Sequence, residues 1–263
     1  STATVNLTGV SLDATALQTL IDGLSYRNGS EDPTGGNRVV TITSLTDSGA
    51  DGGADDAVND GLTLTSTVTV VPVNDQPTLT ATGTNPTYTE NGTAVDLYSG
   101  ITASTIEAGQ SFIALTLTVT NVSDGAAEVL AIGGTDLALT NGNSVAVSGG
   151  TATVSVSGST ATVSVAGVSL DATALQTLLD GLTYRNGSED PTGGNRVVTI
   201  TSLTDSGSNV APNDAVNDGL TLTSTVTVVP VNDQPTLTAT GANPTYTENG
   251  TAVDLFSAIT AST

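Results

Sequence analysis

The sequence predicts an all-β protein, built as tandem β-sandwich repeats with one short helix in each 158-residue unit. Two observations carry the class. Apolar residues alternate with Thr and Ser at period two along several stretches, as strands with one buried and one wet face require. The apolar set is Val, Leu, Ile and Ala with only five Tyr and two Phe, and Thr, Ser and Gly fill most of the rest, a mixture that suits strands and turns. A third observation sets the organisation: the chain repeats itself.

Residues 1–105 align with 159–263 without a gap, at an offset of 158, and fourteen positions differ. Six of the fourteen are consecutive, "ADGGAD" at 50–55 against "SNVAPN" at 208–213, which is how a surface loop behaves. The segment 106–158 occurs once and completes the period. "VPVNDQPTLTAT" stands at 71–82 and again at 229–240. Its Pro77 and Pro235 disfavour continuing the preceding strand, so the seam between units falls there. The expected parts are 1–75 as the C-terminal part of one repeat, 76–233 as a complete repeat and 234–263 as the N-terminal part of the next. On this reading the chain is a window on a longer array, and the strand edges of 1–75 are expected to be completed from a neighbouring unit.

In chain order, "STATV" at residues 1–5 reads as the return arm of a hairpin, because its copy closes "TATVSVSGSTATVSV" at 151–165. "SLDATALQTLIDGL" at 11–24 breaks the period-two pattern: Leu17, Leu20, Ile21 and Leu24 fall at helical spacing. Asp13 is placed to cap this helix, Leu12 to staple onto Leu17, and Gly23 to end it in the left-handed conformation. "GLTLTSTVTV" at 61–70 and 219–228 alternates as a strand, and "IALTLTV" at 113–119 puts Ile113, Leu115, Leu117 and Val119 on one face. Turns are signalled by "SDG" at 123–125, "NGN" at 141–143, "SGG" at 148–150 and "SGS" at 157–159. Tyr88, Tyr98, Tyr246 and Phe256 are expected as core or interface plugs near the seam.

Twenty Asp and six Glu face four Arg and no Lys, for a formal net charge of −22. That balance argues against nucleic acid and anionic membrane as partners. No apolar run approaches the roughly 18 residues that mark a membrane span. The absence of His and Cys excludes His-dependent triads, thiol nucleophiles, disulfides and the usual zinc sites. Two carboxylates could work as acid and base only in a shaped cleft, which nothing in the sequence suggests, so no catalytic residue is expected and the protein is read as a non-enzyme. Arg27 and Arg185 are expected to pair with Glu31 and Glu189.

The acidic loops point instead to calcium, which takes six to eight oxygens and needs neither His nor Cys. Candidate stretches are "YRNGSEDPTGG" at 26–36 and 184–194, with Glu31, Asp32, Glu189 and Asp190; "LTDSG" at 45–49 and 203–207; the "VNDQP" seam; and "YTENGT" at 88–93 and 246–251. Asp and Asn in such turns also bond to local backbone, which is the competing use of each stretch taken singly.

Taken together, "LQTLLDGLTYRNGSEDPTGGNRVVTITSLTDSG" at 175–207, the "VNDQP" that follows and "NPTYTENGTAV" at 243–253 resemble the cadherin-like, Ig-like tandem repeats of giant bacterial surface adhesins exported by type I secretion, including the repeats-in-toxin type. The resemblance implies junctional Ca2+ held by Glu90 and Glu248 from "TENG", Asp47 and Asp205 from "TDSG", and Asn74, Asp75, Asn232 and Asp233 from the seam. Pro72 and Pro230 stand where a cadherin linker opens with Asp, and Gln follows the Asn-Asp pair, so one or two ions per junction are implied. It further implies an extracellular, cell-surface protein that serves as a calcium-stiffened stalk or filament in adhesion and biofilm. Its partners would be neighbouring repeats of the same chain or identical subunits in a fibre. The alternative function is a ligand-binding module, for cell-surface or matrix glycans or for homophilic adhesion.

Overall fold

The computed structural model describes residues 1–52 and 55–262, so the variable loop at 50–55 lies partly outside the described residues. The chain is all-β with two short helices and divides into two compact units, Ser1–Val73 and Asn74–Thr263.

The first unit holds α1 (Ala14–Asp22), β1 (Gly36–Ile42), β2 (Leu45–Thr46), β3 (Val58–Asn59) and β4 (Leu64–Val70). β1 runs antiparallel to β4, with Gly36 opposite Val70, and β2 pairs with β3. Asp13 caps α1 as expected: its Oδ1 accepts the Ala16 N–H at 2.8 Å. Gly23 departs from expectation. Its φ is −79°, in the right-handed region, and its N–H reaches the Thr19 carbonyl at 3.1 Å, so the helix ends without using the glycine's freedom. Among the described apolar residues of this unit only Ala57 is buried.

The second unit begins with β5 (Thr78–Gly83), β6 (Thr87–Thr89), β7 (Val95–Asp96), β8 (Tyr98–Ser104) and β9 (Phe112–Thr120). It continues with β10 (Glu128–Ile132), β11 (Thr135–Ala138), β12 (Ser144–Val147), β13 (Gly150–Ser157), β14 (Thr160–Leu170), α2 (Ala172–Asp180), β15 (Thr183–Asn186), β16 (Gly194–Asp205), β17 (Val216–Asn217), β18 (Leu222–Val229), β19 (Thr236–Gly241) and β20 (Phe256–Ser262). One sheet runs β12-β13-β14-β9-β16-β18-β6, with β17 on β16; a second runs β11-β10-β15-β7; β5 pairs β8 and β19 pairs β20. The expected hairpin forms between β13 and β14, turning at Gly158, whose φ of 59° is easy for glycine.

Alternation explains the core. Leu115, Leu117 and Val119 of β9 are buried, as are Val163 and Val165 of β14 and Val198 and Ile200 of β16, while the intervening Thr and Ser face outward. Leu130 and Leu137 of the smaller sheet join the same cluster, and α2 adds Leu175, Leu178 and Leu179. Tyr88 and Tyr98 are core plugs as read from the sequence, their rings buried. Burying a Val or Leu side chain stabilises by about 1.5–3 kcal/mol, so this row of aliphatic residues sustains the unit despite few aromatics.

Candidate metal centre

β16 organises the polar chemistry. Its 12 residues span roughly 36 Å from first to last at the usual strand rise. Glu189 lies a few residues before its start and Asp205 is its last residue, so two acidic stretches of one loop-strand-turn segment are held at opposite ends of the unit.

At the first end, one carboxylate oxygen from each of Glu90, Glu189 and Asp233 lies within 4.8 Å of the others. Among the described residues no other three acids converge this closely. Each arrives from a different loop. "TENG" turns directly after β6: Asn91 adopts φ 59° and the Gly92 N–H closes onto the Thr89 carbonyl at 2.8 Å, where a side chain on Gly92 would crowd that carbonyl. The Glu90 N–H donates to the Val229 carbonyl at 3.0 Å, continuing the parallel β6–β18 pairing, and the Val231 N–H donates to Glu90 Oε2 at 2.7 Å. Glu90 is therefore fixed against the start of the seam that carries Asp233.

Glu90 is 4% exposed, and its Oε1 is buried without a hydrogen-bond partner. A buried carboxylate oxygen left without a donor costs free energy unless something cationic faces it. Glu189 and Asp233 are exposed on the outer side of the same cluster. The expected Arg185–Glu189 pair does not form. Arg185 sits in β15 opposite Val129, and this register sends its guanidinium to Asp136 at 2.7 Å across the smaller sheet.

At the other end of β16, Asn74 and Asp205 meet. Asn74 Nδ2 donates to Asp205 Oδ1 at 3.3 Å and to the Asp214 carbonyl at 3.0 Å, while its N–H reaches Asn213 Oδ1 at 2.7 Å. Gln110 Nε2 donates to Asn74 Oδ1. Asp205 Oδ1 also takes the Gly207 N–H at 2.8 Å, and a side chain on Gly207 would overlap the Asn74 carboxamide. The "TDSG" glycine is thus explained by close approach. The Asp75 N–H donates to Glu107 Oε1 at 2.9 Å. Asp205 Oδ2, Glu107 Oε2 and Gln110 Oε1 are buried without partners. Burial raises the Asp205 pKa above its ordinary value, against the hydrogen bonds from Gly207 and Asn74 that lower it.

The remaining candidates do not join either group. Glu31, Asp32, Asp47, Asp190 and Glu248 are exposed, and Asp47 Oδ1 accepts its own turn's Gly49 N–H at 2.7 Å. Asn232 donates from its Nδ2 to the Asp233 carbonyl at 3.1 Å. Glu107 and Gln110 fall in the segment that occurs once, outside every acidic motif read from the sequence; their only signal was a Glu and a Gln close together before a strand.

A third polar group was also missed. Arg196 is buried, its Nε and Nη2 donating to Glu128 Oε1 at 2.9 and 2.6 Å and its Nη2 to Asp124 Oδ2 at 3.1 Å. Asp124 further accepts from Thr192 and Asn186. Burial raises the Glu128 pKa more than the bonds from Arg196 lower it. For Asp124, burial acts upward but the hydrogen bonds from Thr192 and Asn186 and the Arg196 charge outweigh it, so its pKa lies below the ordinary value. Period two places Arg196 on the face of Val198 and Ile200, and that was the available sign of its burial. Asn186, the first residue of an "NGS" sequon, is buried in this network.

No known family model, curated protein or solved structure matches this chain.

Proposed function

We propose that the protein is a structural extracellular repeat, a cadherin-like β-sandwich in a tandem array, whose joints are stiffened by calcium in the stalk or filament of a bacterial adhesin or surface fibre. The observation that carries the reading is the convergence of Glu90, Glu189 and Asp233, one of which, Glu90, is buried and keeps a carboxylate oxygen without a hydrogen-bond partner. An all-oxygen trio of carboxylates suits a hard cation, and calcium accepts the irregular geometry of three separate loops more readily than magnesium, which demands a near-ideal octahedron. Asp233 belongs to the seam and Glu90 and Glu189 to the sandwich, so an ion there would tie linker to unit. The second acidic group, around Asp205, likewise includes a seam residue, Asn74.

Calorimetric titration of the full chain with calcium, and melting in calcium, magnesium and chelator, test this. Calcium is expected to raise the melting temperature, magnesium to do so less, and Glu90→Gln to remove most of the gain. A midpoint that calcium leaves unchanged sinks the reading.

A further inference from the structure

The repeat places two copies of one interface on the same chain, one formed and one open. In the formed copy, residues 76–104 pack onto 159–233: β6 lies parallel to β18, β7 pairs with β15, the Leu97 N–H donates to the Leu182 carbonyl at 3.0 Å, and Tyr98 Oη donates to the Val198 carbonyl at 2.8 Å. Subtracting the 158-residue offset from one side and adding it to the other, the same two segments recur, with fourteen substitutions, as 1–75 and 234–262.

Both recurring halves expose what the formed copy buries. Leu97 and Leu182 are each 0% exposed, while their equivalents Leu255 and Leu24 are 63% and 61% exposed. Phe256 and Tyr26, equivalents of the buried Tyr98 and Tyr184, are exposed likewise. Both halves also keep strand pairings of the formed copy that do not cross the interface. β19–β20 pairs Thr236 with Ser262 and shifts register between Thr238 and Thr240, as β5–β8 pairs Thr78 with Ser104 and shifts between Thr80 and Thr82. β1–β4 repeats the register of β16–β18 residue for residue. Asn243 has φ 44° where Asn85 has 50°.

We infer that residues 234–262 of one copy of this chain dock onto Ser1–Val73 of a second copy, reproducing between molecules the interface that 76–104 and 159–233 form within one. The two faces are complementary in register, and docking buries the apolar side chains that each leaves exposed, which offsets the entropy lost in ordering them. Donor and acceptor are different surfaces, so the contact is heterologous and each docked chain leaves one donor and one acceptor open, giving linear growth rather than a closed dimer. Glu248 and Glu31, equivalents of Glu90 and Glu189, come together at the docked face, so calcium strengthens the contact if the proposed metal reading holds.

Gly241 supplies the sharpest test. Its equivalent Gly83 lies so close to the β18 backbone that a side chain there would overlap the Thr223 carbonyl oxygen, whereas a side chain on Gly241 would meet only Asn243, near 3.7 Å. Gly241→Val therefore leaves the chain's own fold intact and blocks docking; Leu24→Asp blocks the acceptor. Sedimentation velocity of the full chain, from micromolar to near-millimolar concentration, is expected to show a mass rising above the 25.9 kDa of one chain. Each variant alone is expected to weaken association about tenfold or more. Their mixture restores a single junction and stops at two chains. A wild-type chain that stays monomeric throughout, or association that both variants leave unchanged, overturns the inference. Association of equal strength in calcium and in chelator supports the docked face and counts against the metal reading alone.

Discussion

Arg196 and Glu128 form a buried ion pair, joined by two hydrogen bonds of 2.9 and 2.6 Å to one carboxylate oxygen, with Asp124 on the same guanidinium at 3.1 Å. One cation is thus shared by two carboxylates inside a unit built of Val and Leu. Removing the cation leaves both acids buried together, while removing one acid leaves the other to pair.

The two partners are therefore expected to be unequal. Arg196→Met should cost about 3–5 kcal/mol, the loss typical of stranding a buried charge. Glu128→Gln should cost less, about 1–3 kcal/mol, because Arg196 keeps Asp124 and an amide oxygen. Urea unfolding of the two variants checks the ranking, and a Glu128→Gln that unfolds more readily than Arg196→Met contradicts it.

Asp124 gives this network a pH dependence of definite sign. Its folded-state pKa is depressed, so its contribution is fully present above the ordinary Asp value and is lost as pH falls through the folded value. Glu128 acts in the opposite sense: its raised pKa means that ionising it costs stability as pH rises from the ordinary value through the raised one. Asp124→Asn should thus be less stable than wild type at neutral pH, with the difference shrinking as pH falls below the carboxylate range. Melting temperatures of the pair across that range measure it.

Tyr98 offers a substitution that the repeat has already made, since Phe256 stands at the equivalent position. Tyr98 Oη donates toward the Val198 and Leu222 carbonyls at 2.8 and 2.9 Å, and burial holds the phenol well above its ordinary pKa, so it stays neutral. Tyr98→Phe is expected to cost about 1 kcal/mol without changing the pH profile. Phe256→Tyr, at an exposed site, should change stability little.

The sequence made the strands, the capped helix and the hairpin at Gly158 legible because each rests on local chemistry: period two, an Asp before a helical run, a glycine in a tight turn. It brought Glu90, Glu189 and Asp233 forward as candidates, but only as members of a list of twelve. Their convergence depends on β6 lying parallel to β18, a non-local pairing that no short motif encodes. Arg185 was assigned to Glu189 by nearness along the chain, whereas strand register carries its side chain to Asp136. Arg196 and Glu128 are 68 residues apart, and Glu128 lies in the segment without a second copy, so the repeat could not flag it.

The metal trio makes a prediction with a reversal in it. Glu189 and Asp233 are exposed, and their carboxylates stand within 4.8 Å of the buried, ionisable Glu90, so without a cation three like charges repel one another. Removing one of the outer charges relieves that repulsion and takes no core packing away. In chelator, Asp233→Ala and Glu189→Ala should melt at or above the wild-type temperature. In calcium they should melt below it, because the ion loses a ligand and its stabilisation, about 1.4 kcal/mol when calcium is tenfold above the dissociation constant, weakens with the affinity. Raising ionic strength with sodium chloride in chelator should narrow the first difference by screening. Variants that melt below wild type in both conditions would show that Glu189 and Asp233 serve the fold directly. Variants that match wild type in calcium would remove them from any cation site.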